Sequence, residues 1–594
     1  MKTRMSEIKK GLKIPEGTIF TDTLLKIYKY NTLNKIYSEA ESKDPLTLIE
    51  SLLKYFNIHV DFSEKDINNI PLKGPFIAVS NNPYRGIDSM ILYWLIRQKR
   101  PDIKVLGNHL LAEIEPLNDV IIPVTTRENL SSEKHSIKGI RSAFKHLSQG
   151  NSICIFPAIE NIKQIELSEI VIDREWDSVA VKLIKNARVP VVPVYFHATM
   201  PRLKYFMGKM LFYKGASFLP SEILNKKNRL IKIRIGSPIS LKEQLEFHDF
   251  ETYGRYLRAR VYSLGIVSGT RKIVKRKREK VKMEPVIEAC EPQTILEEFK
   301  EVRKNYELFT AGNFTAICAP SYIIPNIFRE IGRLREITFR EVGEGTGKGI
   351  DIDRYDFFYQ HLFLWDNQEN RLAGAYRLGK GREIMLLYGI KGFYISSLFR
   401  IKKSFSEILS QSIELGRSFI VKDYQRKTVP LFLLWKGIMV FLLRHPEYRY
   451  LIGPVSISND LSGFSKSLIF EFIKKWFFNY ELARHVKSRR EFVPEENTII
   501  DRTVFVEASE RDINKIEKII IDAEAGYRMP VLLKKYIEIN GEIIGFNIDP
   551  KFNNCLDGLM ILDLYKTPRD FIAGLSREMN DPSVMERFSV KNQK

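Results

Sequence analysis

Apolar and polar positions in the first half of the chain switch between two periods. Short apolar runs at 75–80, 103–106, 120–124, 152–156 and 189–196 read as buried strands, while 88–96 and 137–147 carry helical spacing. A last apolar run at 229–239 closes the series, and 241–262 reads as helical. Strands alternating with helices predict an α/β sheet with its reactive residues on loops at strand ends.

The second half is less regular. Strand-like runs at 337–340, 360–365 and 371–378 lie beside helical patterns at 404–409 and 429–443; an aromatic helix spans 464–480, and 541–549 returns to strand character. This mixture predicts an α+β domain. The expected organisation is a helical lead-in (1–45), a first domain (46–262), a basic linker (263–300), a second domain (301–580) and a flexible tail (581–594).

A length of 594 residues agrees with two cores rather than one. Hydrophobic residues at 44% and charged residues at 28% exclude a disordered chain and an integral membrane protein. The apolar stretch at 429–443 is interrupted by Lys436. The start lacks the apolar region of a secretion signal, and four scattered cysteines (Cys154, Cys290, Cys318, Cys555) fit a reducing cytoplasm.

The formal net charge of +21 calls for an acidic partner: nucleic acid, an anionic membrane face or an acidic carrier protein. The linker, with Arg271, Lys275, Arg278 and Lys282 among its cations, reads either as a solvated tether or as an attachment to anionic lipid, at about 1 kcal/mol per basic residue. The aromatic helix with Lys466, Lys474 and Lys475, and the basic run at 484–490 after it, either lies on a membrane or packs in the core. No aromatic-basic recognition motif accompanies the charge, so no nucleic-acid partner is expected.

Acyl transfer to a hydroxyl needs a base, a group that orients it and donors for the oxyanion. The turn Asn81-Asn82-Pro83-Tyr84-Arg85-Gly86-Ile87-Asp88 and the block Phe156-Pro157-Ala158-Ile159-Glu160 resemble the phospholipid and glycerol acyltransferase superfamily. Matches at 221–225 and 235–239 extend the resemblance over roughly 70–240. It implies that residue 82 is the base, that Asp88 orients it, and that Phe156, Pro157 and Glu160 bind substrate. The chain departs from the pattern at three places. Asn82 stands where the base is a histidine, and its amide cannot accept a proton; Arg85 and Ile159 replace glycines. His109, after a different strand, reads as a satisfied loop histidine more than as a replacement base.

In the second domain the loop 343–349 is glycine-rich, but Val342 and Gly349 stand where a phosphate-binding loop needs Gly and Ser or Thr. A mobile loop is expected there. The order Arg335, Asp351, Asp356, His361, Arg377, Glu414, Arg417, Ser418 resembles the acyl-carrier-dependent N-acyltransferases of ornithine-lipid and glycine-lipid synthesis. These are relatives of the GNAT and acyl-homoserine-lactone synthase fold, and similar sequences are loosely called hemolysins. The fusion of the two halves resembles bifunctional ornithine-lipid synthases, whose C-terminal half N-acylates the amino acid and whose N-terminal half O-acylates the attached chain.

The resemblance implies attack by an amine on a thioester, which needs a carboxylate to place or deprotonate the ammonium and donors for the thioester oxygen. Glu414 is the candidate for the amine, with Glu341, Asp356 and His361 as further polar candidates. Arg335, Arg377 and Arg417, with Ser418, are candidates for binding the amino-acid carboxylate or a phosphopantetheine arm; each is alternatively a structural ion pair. No pyrophosphate loop is evident, which favours acyl carrier protein as donor, with acyl-CoA left open, and no bound cofactor or metal. The expected setting is the cytoplasmic face of the inner membrane, with a lipid substrate. The alternative makes the first domain a lipid-binding, membrane-docking pseudoenzyme.

Overall fold

The computed structural model describes residues 44–55, 57–84, 87–108, 112, 115–124, 132–158, 176–197, 229–266, 283–496, 499–524, 526–579 and 581–588. The lead-in, Arg85, His109, Ile159, Glu160, the match at 221–225 and the linker cations at 271–282 lie outside the described residues. The chain forms two compact units. The first combines Met1–Arg271 with Asn497–Glu510 and Lys518–Gly526; the second combines Lys272–Glu496, Arg511–Glu517 and Tyr527–Lys594.

In the first unit, strands β1 (Ile58–Asp61), β2 (Ile77–Ser80), β3 (Lys104–Asn108), β4 (Ile121–Val124), β5 (Ile153–Ile155), β6 (Val191–His197) and β7 (Arg229–Ile235) form one sheet in the order β1-β7-β6-β2-β5-β3-β4. Neighbours are parallel except β6 and β7. Every residue of β2 is buried, as a central parallel strand requires. Helices α1 (Pro45–Tyr55) and α2 (Ile87–Arg97) send Leu48, Ile49, Ile91 and Leu95 into a core with Ala78, Cys154 and Val194.

The stretch expected to be helical at 241–262 is broken. It forms Leu241–Leu245 and then α3 (Phe250–Ser263), because the Asp249 side chain caps the second helix through the Thr252 N–H at 2.6 Å. Fully buried Arg260 on α3 pairs with Glu243 at 2.9 Å and Asp522 at 2.8 Å. Asp522 comes from the late segment that rejoins this unit, and it also accepts the Ser237 hydroxyl at 2.7 Å. A charge this deeply buried holds only when paired on several sides.

The second unit is built on β8 (Glu307–Ala311), β9 (Phe314–Pro320), β10 (Gln360–Asp366), β11 (Arg371–Lys380), β13 (Ser412–Ile420), β14 (Tyr450–Ile457), β16 (Glu542–Asp549) and β17 (Cys555–Asp563). These make an eight-stranded sheet in the order β16-β17-β14-β13-β11-β10-β9-β8, and β12 (Phe399–Ile401) pairs separately with β15 (Val486–Ser488). Only β13 and β14 run parallel among the described pairs of the large sheet.

Helix α4 (Pro325–Glu341) contains the run expected as a strand at 337–340. Pro325 starts the helix, and Ile327, Ile331, Arg335 and Phe339 are buried at helical spacing, so the β-branched pair Ile337-Thr338 follows a register set upstream. The basic run at 484–490 holds β15. In α5 (Gly463–Trp476), Phe464, Leu468, Phe472 and Ile473 are buried, so that helix spends its main apolar face on the interior. Among the described residues no helix is long and apolar enough to cross a membrane.

Candidate functional site

In the first unit the motif residues lie at one edge of the sheet. Asn81 is fully buried and clamps the turn to β6: its Nδ2 donates to the Phe196 carbonyl at 2.9 Å and its Oδ1 accepts the Phe196 N–H at 2.8 Å. The Tyr84 hydroxyl donates to the His197 carbonyl at 3.0 Å, and the Tyr84 N–H donates to Asp88 Oδ2 at 3.0 Å. Asp88 is buried in the first turn of α2, where a carboxylate suits the helix dipole. Asn82 sits half-buried between these fixed points.

Phe156 follows β5, the parallel neighbour of β2, so its loop opens at the same edge; it packs on the core, and the carbonyl of buried Pro157 accepts the Asp177 N–H at 2.8 Å. His197 ends β6, the other parallel neighbour, and the sequence reading passed over it although it directly follows an apolar run. Burial first, and Lys232 second, hold its imidazole below the ordinary pKa.

In the second unit, three arginines and three aspartates form a neutral buried cluster. Arg335 Nε meets Asp351 Oδ2 at 2.8 Å and its Nη2 meets Asp356 at 3.0 Å. Arg377 Nη1 meets Asp353 at 2.7 Å and Asp356 at 3.2 Å. Arg417 stands further off, 3.5 Å from Asp351 and 3.7 Å from Asp353. Burial pushes the Asp356 carboxyl up, but Arg335 and Arg377 together hold it well below the carboxylate range. His361 Nε2 lies 2.8 Å from the Asp356 carbonyl, and burial above all lowers its pKa to about 4, so the ring is neutral. Glu341 is apart from the cluster and pairs with exposed Lys422 at 2.6 Å.

Glu414 is fully buried, and its carboxylate is occupied by the chain itself. Oε1 accepts the Ile395 N–H at 2.7 Å, Oε2 accepts the Tyr394 N–H at 3.0 Å, and the Tyr359 hydroxyl also donates to Oε2. Burial pushes its pKa up to about 7 in spite of these donors. The group positions the segment that carries Tyr394.

Beside Tyr394 the sheet opens. The ladder between β13 and β14 ends at the pair Glu414 and Ile452, yet β13 runs on to Ile420 and β14 to Ile457. A Cβ on Gly453 would lie 2.4 Å from the Leu415 carbonyl oxygen, so glycine is what lets the strands touch where they part. Past that point a cavity of about 340 Å³ lies between them, reached by Gly416, Arg417 and Ser418 from β13 and Pro454 and Ser456 from β14.

The cavity joins opposite charges. Arg417 keeps only 12% of its side chain exposed, its Nε and Nη1 have no hydrogen-bond partner, and its backbone is left-handed at φ 52°. Strain of this kind costs about 1–3 kcal/mol and is tolerated where it aims a side chain. Three acids face the same space: Asp549 and Asp557, both buried, and Glu344. Ser456 Oγ donates to Asp557 Oδ1 at 2.7 Å. Burial pushes Asp557 up to about 7, with Asp549 adding to the rise; burial, then Asp557 and Asp460, push Glu344 up to about 7.

Glu344 reaches the cavity from the glycine-rich loop, which is fastened rather than loose. The Glu336 carboxylate accepts the Thr346 N–H at 3.0 Å, the Thr346 hydroxyl at 2.7 Å and the Gly347 N–H at 2.9 Å. The sequence reading found Arg417 and Ser418 but missed Glu344, Asp549 and Asp557. The signal for Asp557 was a lone acid within the apolar run 555–562.

Residues 24–266 match the model of a family described as acyltransferase, and residues 334–435 match that of the acetyltransferase (GNAT) domain. The chain is similar to a glycine N(alpha)-acyltransferase of Bacteroides thetaiotaomicron, with 30% identity over 276 residues, which are 43% of this chain and 79% of the relative. It is also similar to a lyso-glycine lipid O-acyltransferase of the same organism, with 23% identity over 248 residues, 41% of this chain and 88% of the relative. Among solved structures it resembles the 1-acyl-sn-glycerophosphate acyltransferase of Thermotoga maritima, at 15% identity over 43% of this chain and 94% of the other, with a TM-score of 0.24.

An acyltransferase-like α/β unit joined to an α+β unit with a GNAT domain makes this protein an acyltransferase. The chain belongs to the family of the glycine N(alpha)-acyltransferase named above.

Proposed function

We propose that the protein makes an aminolipid, its second unit joining an acyl chain to the amino group of an amino acid and its first unit handling the lyso-lipid that results. The parting of β13 and β14 around a charged cavity carries this reading. Both strands turn an edge without a ladder partner toward the gap, and such edges take up an extended amide-bearing arm as an added strand. That is the form of a phosphopantetheine thioester, and the net charge of +21 suits delivery by an acidic acyl carrier protein. One relative is named a glycine N(alpha)-acyltransferase and the other a lyso-glycine lipid O-acyltransferase, and likeness to both supports a chain that combines the two steps.

The reading also places the protein at an anionic membrane surface on the cytoplasmic side. Leu386, Leu387 and Tyr388 are 84%, 68% and 50% exposed in succession, an arrangement suited to a partly apolar boundary. Purified full-length protein, supplied with an acyl carrier protein thioester and either glycine or ornithine, is expected to release an N-acyl amino acid detectable by mass spectrometry. Absence of any N-acyl amino acid with both acceptors, from carrier-protein and CoA donors alike, would overturn the proposal.

A second reading of the first unit rests on Asn82. With an amide where a base belongs, that unit binds and presents lyso-lipid without transferring acyl groups.

A further inference from the structure

The second unit's cavity has a feature that acyl-donor binding does not require: three carboxylates beyond the end of the β13–β14 ladder, on elements other than those two strands. Resting on the N-acylation reading, we propose that Asp557 and Glu344, backed by Asp549, hold the ammonium of the amino-acid acceptor while Arg417 holds its carboxylate, and that Asp557 takes the proton that frees the amine.

The two charges of an α-amino acid need two opposite partners, and the cavity supplies both. Arg417 offers guanidinium nitrogens with no hydrogen-bond partner in a side chain 12% exposed. Behind it, fully buried Arg377 has two further nitrogens, Nε and Nη2, without partners, and Nη2 lies 4.0 Å from where a Cβ on cavity-lining Gly416 would sit. Open guanidinium donors thus lie on the β13 side, while Asp351, Asp353 and Asp356 balance the charge of the cluster behind them. On the other side, Asp557 is fixed by Ser456 and touched by the Cys555 thiol at 3.4 Å, and Glu344 is carried in by a loop that Glu336 fastens. Glu414, the carboxylate the sequence pointed to, does not line the cavity and accepts three donors of its own.

The proton transfer balances without a further reactant. Asp557 carboxylate accepts a proton from the ammonium, the freed nitrogen attacks the thioester carbonyl carbon, the carbon–sulfur bond breaks as that nitrogen gives up a second proton, the leaving thiolate takes up this second proton, and Asp557 returns the first to solvent. The groups facing Asp557 are Asp549, Glu344, Cys555 and Tyr394, with Asp460 beside Glu344 and Arg417 beside Tyr394. Burial first, and the neighbouring acids after it, oppose ionisation, and both Glu344 and Asp557 stand at about 7. Acceptor affinity therefore rises as pH increases through 7, because only the ionised carboxylates attract the ammonium.

The test uses the full chain, with glycine and ornithine as separate acceptors at saturating acyl donor. Asp557→Asn and Glu344→Gln are expected to raise the acceptor KM roughly 30-fold or more, the loss set by removing one partner of a buried charge pair, with donor KM unchanged. Asp557→Asn also weakens the fall of acceptor KM between pH 6 and 8, leaving the part that Glu344 contributes. The glycine and ornithine arms show which acceptor the acids select. Folding of each variant is checked by its thermal transition, and Glu344→Gln, on a loop, serves if Asp557→Asn fails to fold. Folded variants with wild-type acceptor KM and pH dependence overturn the subsite. Binding of 13C-labelled glycine or ornithine to the wild type without donor, followed by NMR, separates the two levels. Binding lost in the variants supports the subsite even if no N-acyl product forms, whereas no binding by the wild type sinks it.

Discussion

Glu414 shows how one residue can resemble a catalytic acid and serve as a brace. Its carboxylate joins the Tyr359 hydroxyl to two successive backbone N–H groups, so removing it strands three buried donors. We expect Glu414→Ala to destabilise the second unit by about 2–4 kcal/mol and Glu414→Gln by much less, measured by urea denaturation. Kinetics separate this role from that of Asp557: Glu414→Gln lowers turnover through the Tyr394 segment and leaves the pH dependence of acceptor KM in place. Asp557 carries a stability signature of its own. Its folded pKa, about 7, lies above the ordinary aspartate value of about 3.9, so the native state holds the extra proton between those limits and loses stability as pH rises through them. Asp557→Asn is therefore expected to be more stable than wild type at pH 8, by roughly 1–3 kcal/mol, and no more stable at pH 4.

At the level of elements, what the sequence made legible depended on how local the determining contacts were. The parallel strands β2, β5 and β6 announced themselves because a strand buried on both faces must be continuously apolar. The segment 337–340 misled because its β-prone residues end a helix whose register begins at Pro325. Strand β17, buried along all nine residues, went unread although it pairs with both β14 and β16; its apolar run carries Asp557, whose justification is a hydroxyl on another strand. The cavity was illegible for the same reason. Arg417 and Ser418 stood out as motif residues, but nothing local indicates that β13 and β14 separate after Glu414, or that the loop at 343–349 is held by Glu336. The separation can be tested through Gly453. A methyl group there meets the Leu415 carbonyl, so Gly453→Ala is expected to force the strands apart at the wrong place, at about 1–3 kcal/mol in stability and with loss of N-acylation; a variant with wild-type stability and activity contradicts this account.

At the level of the whole molecule, the open matter is whether one chain performs both acylations. The first unit keeps what surrounds an acyl-transfer base: Asn81 fixes the turn to β6, Asp88 holds it at the start of α2, and Phe156 and Pro157 follow the neighbouring strand. What it lacks at position 82 is a group that accepts a proton. Asn82→His places an imidazole in a turn whose neighbours are already arranged, so if the first unit is a transferase that has lost its base, O-acylation of an N-acyl amino acid should rise by roughly 100-fold, the usual contribution of a general base. Lipid mass spectrometry with the N-acyl amino acid as substrate reads this directly. If wild type already makes the diacylated lipid and Asn82→Ala leaves the rate unchanged, the proton is taken by another group at that edge. His197 is then the residue to replace first: it ends the strand beside β2, its imidazole Nδ1 is buried without a hydrogen-bond partner, and its lowered pKa leaves it neutral and able to accept a proton at pH 7.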